Sequence, residues 1–207
     1  MDFLFPLMSI AMALMLGAMS PGPSFICVAQ NSIAKSRKHG LVTALGTGTG
    51  AAILGLLAVL GLQAFLLAVP SAYMLLKFMG GLYLLWLAYK ILKHAKSPLS
   101  VEQTHTVQTH YWTTYRSGLL TQMSNPKTAI VMAGIFTALL PKNIPDYYYI
   151  AIPALCFMID AGWYAFVSVI LSSQKPRQVY LRSKKVFDRL AGGILGILGL
   201  KLILSTK

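Results

Sequence analysis

Apolar runs of roughly twenty residues, separated by short breaks that collect most of the charge, leave this chain one economical fold. A helix of about 20 residues crosses a hydrocarbon core about 30 Å thick. In lipid every backbone N–H and C=O must be satisfied within the protein, which admits helices and closed barrels only. The runs read Phe3–Ser32, Gly40–Leu67, Tyr73–Leu92, Gly118–Leu140, Tyr147–Leu171 and Leu190–Leu204, and they are spans 1 to 6 below. A hydrophobic content of 56% and a mean hydropathy of +0.65 exclude an ordinary soluble domain.

In a soluble chain the net charge of +13 would suggest a nucleic-acid partner. Here the basic residues flank apolar runs and alternate from break to break, so they read as a topology signal and no nucleic acid is expected. Lys35, Arg37 and Lys38 follow span 1. Lys90 in the last turn of span 3 and Lys93, Lys96 and Arg116 after it mark the break that follows, and Lys175, Arg177, Arg182, Lys184, Lys185 and Arg189 follow span 5. These breaks are assigned to the cytoplasm and both termini to the outside. The other two breaks are poor in charge, with Lys77 just inside span 3 and Lys142 set against Asp146. No Lys or Arg precedes the first run, where Asp2 is the sole charge before Lys35, so that run reads as a transmembrane helix, not a cleaved signal. Tyr111, Trp112 and Tyr115, and Tyr147, Tyr148 and Tyr149, fall where aromatic belts flank a bilayer.

Span 3 reads KFMGGLYLL from Lys77 and span 6 reads RLAGGILGI from Arg189. A second echo pairs Met19, Ser20, Pro21, Gly22 and Pro23 with Met123, Ser124, Asn125, Pro126 and Lys127. Two halves of three helices each must insert with opposite orientation. The expected fold is therefore an all-α integral membrane protein of six transmembrane helices, built as two inverted three-helix repeats with the first and fourth helices broken. One membrane transport domain covers 1–207, with repeat one over about 1–96, a cytoplasmic linker over about 97–117 and repeat two over about 118–207.

Pro21, Gly22 and Pro23 cannot continue a helix, because two prolines remove donors and clash with preceding carbonyls. Ser20 and Ser24 flank that break and are available to line it. Asn125, Pro126 and Lys127 form the matching break in span 4. Half-helix N-termini carry partial positive charge and free N–H groups, so two breaks that meet suit a carboxylate, and Lys127 adds a full charge or snorkels to the interface. Asp160 is the one carboxylate within the hydrophobic part of any span, where an ionisable group is expensive enough to be presumed functional. Accepting a substrate ammonium group or carrying a coupling proton both fit it, as does a buried pair with Lys127. Trp163 and Tyr164 follow one turn later as candidate cavity walls.

Gly46, Thr47, Gly48, Thr49 and Gly50 superficially resemble a phosphate-cradling loop, but no strand precedes them. Close helix packing explains the glycines better, with Thr47 free to line a pore. Cys27 and Cys156 have neither CxxC spacing nor histidine partners, His105 and His110 fit a solvated linker, and the ten methionines are scattered. No metal site or cofactor is expected. No histidine falls within a span, and no acid/base pair or activated nucleophile stands out, so the chain does not read as an enzyme.

Taken in order, these features resemble the LysE/RhtB family of bacterial amino-acid exporters over nearly the whole chain. The features are Ser20 to Pro23; Gly40, Gly46 and Gly50; Lys77, Gly80, Gly81, Tyr83, Leu84 and Trp86; Gly118, Asn125, Pro126 and Lys127; Asp160 and Trp163; and Asp188, Arg189, Gly192, Gly193 and Gly199. The resemblance implies a secondary transporter in the bacterial inner membrane that exports amino acids such as threonine, homoserine, leucine or basic amino acids, driven by the proton motive force. Its partners are then a small amino-acid substrate, a coupling proton and membrane lipid, with homo-oligomerisation left open. The residues expected at the binding or coupling site are Asp160, Lys127, Asn125, Pro126, Ser20, Pro21, Gly22, Pro23, Ser24 and Trp163. A lone Asp160 favours a neutral zwitterion. The alternative is an exporter of a metal or other small inorganic ion, which such a helix set supplies with few ligands.

The charge pattern generates a direct test. Single cysteines placed at each terminus of a Cys27→Ala/Cys156→Ala background are expected to react with a membrane-impermeant maleimide in intact spheroplasts. Labelling that requires permeabilisation would overturn the assigned orientation.

Overall fold

The computed structural model describes residues 4–68, 73–95, 110–141, 143–172 and 174–204. Side chains at positions 4, 5, 66, 67, 73, 76, 77, 94, 174–184 and 187 are not described. Part of the expected linker (97–109, with His105), Lys96, Lys142 and the side chains of Lys77, Lys175, Arg177, Arg182 and Lys184 therefore lie outside the described residues.

The described chain is helical throughout its ordered elements: α1 (Leu4–Met19), α2 (Pro23–Gln30), α3 (Arg37–Ala68), α4 (Tyr73–His94), α5 (Tyr111–Met123), α6 (Pro126–Leu139), α7 (Tyr148–Leu171) and α8 (Gln174–Leu204). Span 1 breaks between α1 and α2 as the prolines require. Gly22 is extended (φ −152°, ψ −167°) and Pro23 opens α2, where its missing N–H costs nothing. The axes on either side of the break differ by 60°. After α2 the chain widens into one π turn over Asn31–Lys35, closed by Ser36 N–H on the Asn31 carbonyl at 3.2 Å. Span 4 breaks between α5 and α6, with Asn125 (φ −82°, ψ 102°) capping α6 and Pro126 at its first position.

Two elements begin earlier than the apolar runs suggest. The chain is already helical at Tyr111, and α8 starts at Gln174, so the basic stretch before Leu190 is helix. Lys, Arg, Gln and Leu are good helix formers, and Pro176 falls in the first turn, where no intrahelical donor is lost. Charge marks where a helix leaves the hydrocarbon, not where it ends.

By length and apolarity, α3 and α7 are each long enough to cross a membrane, and the bent α1–α2 unit makes a third candidate. Large apolar side chains on several helices face outward, among them Met8, Leu57, Leu75, Ile150, Met158 and Ile197. An aqueous surface rarely carries so much apolar area, and lipid accommodates it. In the belt before α7, Tyr147 is exposed while Tyr148 is buried in the core.

The most extensive packing joins α3 to α7 and to α5, and α4 to α8, while α2 packs on α5, α3 and α7, and α1 on α7, α6 and α8. Small residues permit these approaches. A Cβ at Gly118 would fall on the Thr43 carbonyl, and one at Gly46 on the Tyr115 carbonyl. A Cβ at Gly81 would stand 2.8 Å from the Gly199 carbonyl oxygen, and one at Gly199 2.8 Å from the Gly81 carbonyl oxygen. Gly193, which the repeat pairs with Gly81, meets nothing within 4 Å.

Gly118→Ala is accordingly expected to cost about 1–3 kcal/mol through overpacking against backbone, whereas Gly193→Ala should be neutral or slightly stabilising. Thermal midpoints of the detergent-purified variants test this, and equal midpoints would refute the close-packing account.

Candidate functional site

The two broken helices meet at their breaks. Asn125 serves both. Its side-chain oxygen accepts from Lys127 N–H at 3.1 Å, completing the cap of α6, and its amide donates to the Ser24 hydroxyl at 3.0 Å. The Ser24 hydroxyl in turn donates to the Gln122 side-chain carbonyl, and Gln122 Nε2 donates to Asp160 Oδ2 at 2.8 Å. A polar chain thus runs from α6 through α2 and α5 to α7, its members Ser24, Gln122, Asn125 and Asp160 all buried. Each satisfied group spares the penalty that an unpaired one would impose.

Within this polar network one atom lacks a partner: Asp160 Oδ1 is buried and makes no hydrogen bond. The neighbouring Thr47 hydroxyl donates to the Ala44 carbonyl at 2.9 Å. Leaving a carboxylate oxygen unpaired in an apolar interior is costly, so the position is suited to an incoming donor.

Lys127 extends to the other break. Its ammonium donates to the Ser20 carbonyl at 2.5 Å, an acceptor that an unbroken helix would have turned toward Ser24. Asp188 on α8 attracts the same ammonium electrostatically. Lys127 and Asp160 are therefore not a buried pair: they line one cavity with separate partners. Gly22, Asn125, Thr128, Cys156, Ile159 and Tyr164 contribute to the same cavity, whose free volume is about 40 Å³. That is room for a few waters.

Of the expected site residues, Asp160, Lys127, Asn125 and Gly22 line this cavity. Ser20, Pro21, Pro23 and Pro126 line a larger one beside it, of about 550 Å³, which Gly22 and Lys127 also border. Ser24 acts through its bonds to Gln122 and Asn125. Trp163 is placed elsewhere: it packs with Phe25, Val28 and Ala44 in a buried cluster and borders neither cavity, while its neighbour Tyr164 does. A rotation of about 100° per residue separates the two.

Gln122 and Asp188 were missed. Gln122 precedes Asn125 by three residues, which places it on the same helical side as the break, and an amide inside an apolar run is itself a signal. Asp188 sits in a basic stretch, where its charge reads as part of a solvated face. Among the described residues no group of three or more His, Cys, Asp or Glu is placed to hold a metal ion.

Residues 15–206 match the family described as LysE type translocator. The chain is similar to the threonine efflux protein of Salmonella typhi, with 30% identity over 199 residues covering 95% of this chain and 97% of the relative. It is similar to the threonine efflux protein of Escherichia coli strain K12, with 29% identity over 200 residues covering 96% and 97%. Similarity extends to the membrane protein YahN of the same strain, 29% identical over 184 residues covering 89% and 82%. No solved structure gives a significant match.

Removing the cap with Asn125→Ala is expected to cost about 0.5–2 kcal/mol, read as a lowered thermal midpoint in detergent. Asn125→Ser keeps a capping oxygen and should recover more than half of that loss. Equal destabilisation by the two changes would show that capping does not hold the break.

Proposed function

The chain belongs to the LysE type translocator family, and from that premise we propose that it is a secondary transporter exporting an amino acid or close derivative from the cytoplasm, driven by the proton motive force. The observation that carries this reading is the cavity holding Asp160 and Lys127 with different partners. A zwitterion offers an ammonium group to the unpartnered Asp160 oxygen and a carboxylate to the Lys127 ammonium and the N-terminus of α6. One acid and one cation suit a neutral side chain, in keeping with relatives named threonine efflux proteins.

The packing supports the inverted repeat. Spans 2 and 5 pack together as α3 and α7, and spans 3 and 6 as α4 and α8. In spans 1 and 4, α1 touches α6 and α2 touches α5, while α1 also packs on α7 and α8. Pairing of each span with its mate is what a pseudo-twofold axis in the membrane plane would produce. The reading is one membrane domain of six spans in the bacterial inner membrane, with both termini outside.

Because the main contacts cross between the repeats, the halves are not separate bodies free to rock. The α4–α8 pair and the α3–α5–α7 block are the better candidates for relative motion, with the broken helices between them. A cavity of about 40 Å³ is far smaller than the roughly 300–1,000 Å³ of a ligand site, so substrate enters only after that motion widens it. In this reading Asp160 exchanges a proton for the substrate ammonium, which would couple export to the proton gradient.

Efflux of preloaded radiolabelled amino acids, with threonine first, tests the proposal in cells expressing wild type or Asp160→Asn at matched membrane abundance. Wild type is expected to accelerate efflux of one substrate class at least tenfold over empty-vector cells, with the gain abolished by Asp160→Asn and by an uncoupler. No acceleration for any amino acid would overturn the substrate assignment. Acceleration that survives the uncoupler would overturn proton coupling.

A further inference from the structure

The larger cavity holds charges that the central site does not use. It lies between the α4–α8 pair and the two helix breaks, and Lys90 and Asp188 border it together with Lys127. Trp86 and Tyr83 supply aromatic wall, and the Lys90 ammonium lies 4.6 Å above the Trp86 ring. Its free volume of about 550 Å³ is within the range of small-molecule sites. Among the described residues its lining carries two ammonium groups and one carboxylate, which offers both ends of a zwitterion a partner of opposite charge. Lys90 and Lys93 near the end of α4, and Lys185 and Arg189 early in α8, put this cavity on the side assigned to the cytoplasm.

Resting on the exporter reading above, we propose that this cavity is a second, entry-side binding site for the zwitterion, in which Asp188 takes the ammonium group and Lys90 the carboxylate. The partition between the two cavities consists of Gly22 and Lys127, which border both. The Lys127 stem passes close over Gly22, where a Cβ would stand 3.3 Å from Lys127 Cδ. Each end of the substrate then advances one partner inward: the carboxylate from Lys90 to Lys127, and the ammonium group from Asp188 to Asp160. Every step exchanges one charge-assisted hydrogen bond for another, so no charge crosses the partition unpaired. Glycine at position 22 leaves the Lys127 stem free to follow the carboxylate.

An entry site affects capture more than turnover. In proteoliposomes loaded with graded concentrations of the amino acid that wild type exports, Lys90→Gln and Asp188→Asn are each expected to raise the internal concentration for half-maximal efflux about tenfold, in line with loss of a hydrogen bond to a charged group. The maximal rate of Lys90→Gln should stay within about twofold of wild type, whereas Asp188→Asn, which also removes the charge that attracts the Lys127 ammonium, lowers it and Asp160→Asn loses it. Lys90 is exposed, so Lys90→Gln keeps the test decisive if the buried Asp188 proves necessary for insertion. Half-saturation by Lys90→Gln at the wild-type concentration would overturn the entry site while leaving the exporter intact. Loss of maximal rate in Lys90→Gln at every concentration would overturn it too, since that assigns Lys90 to the turnover step. Failure of wild type to transport any amino acid is the separate failure of the exporter reading.

Discussion

A carbonyl stranded by two prolines needs a donor, and the Ser20 carbonyl receives one from the Lys127 ammonium. In lipid such an acceptor has no water to turn to, and leaving it bare costs several kcal/mol. The lysine faces the reciprocal difficulty of a charge at depth, which the carbonyl and Asp188 relieve. Each defect satisfies the other, and that exchange brings the two broken helices into register. Once they are in register, Asn125, Ser24 and Gln122 fall within hydrogen-bonding reach, and the chain of contacts ends on Asp160.

The close-packed glycines set the distance over which this network closes. With Gly46 and Gly118 letting α3 and α5 touch backbone to backbone, Gln122 is held at the depth of Asp160. Gly48, where a Cβ would lie 2.6 Å from that of Ala161, brings α7 equally near. Without a hydrophobic force between helices in lipid, such small-residue seams carry much of the association. By contrast, the α4–α8 pair is joined mostly to itself, which leaves a seam for the larger cavity on its inner side. A block bearing Asp160 and a separate pair bearing Asp188 and Lys90 are the parts whose relative motion the proposed export cycle calls for.

Much of this was legible because its causes are local or compositional. A lone proline can be carried inside a membrane helix, as Pro153 is in α7, but Pro21 and Pro23 around a glycine, and a capping Asn125 ahead of Pro126, favour a break, so the breaks in spans 1 and 4 could be located to the residue. The isolation of Asp160 in an apolar run needed only counting. Helix ends were read less well at Tyr111 and Gln174, since charged residues propagate a helix as readily as apolar ones and hydropathy reports only immersion.

The sequence by itself determined the class of fold, the two breaks and the presence of one buried acid, because backbone stereochemistry and the cost of charge in lipid act on single residues and short windows. Tertiary structure alone decided who pairs with whom. Ser24 meets Gln122 across 98 residues, Asn125 meets Ser24 across 101, and Lys127 meets the Ser20 carbonyl across 107. Contacts at such separations depend on how helices cross and rotate, to which hydropathy is blind. For the same reason Tyr164 faces the cavity while Trp163 turns into the core: adjacent positions on a helix point about 100° apart, and only the neighbouring helices say which direction is inward.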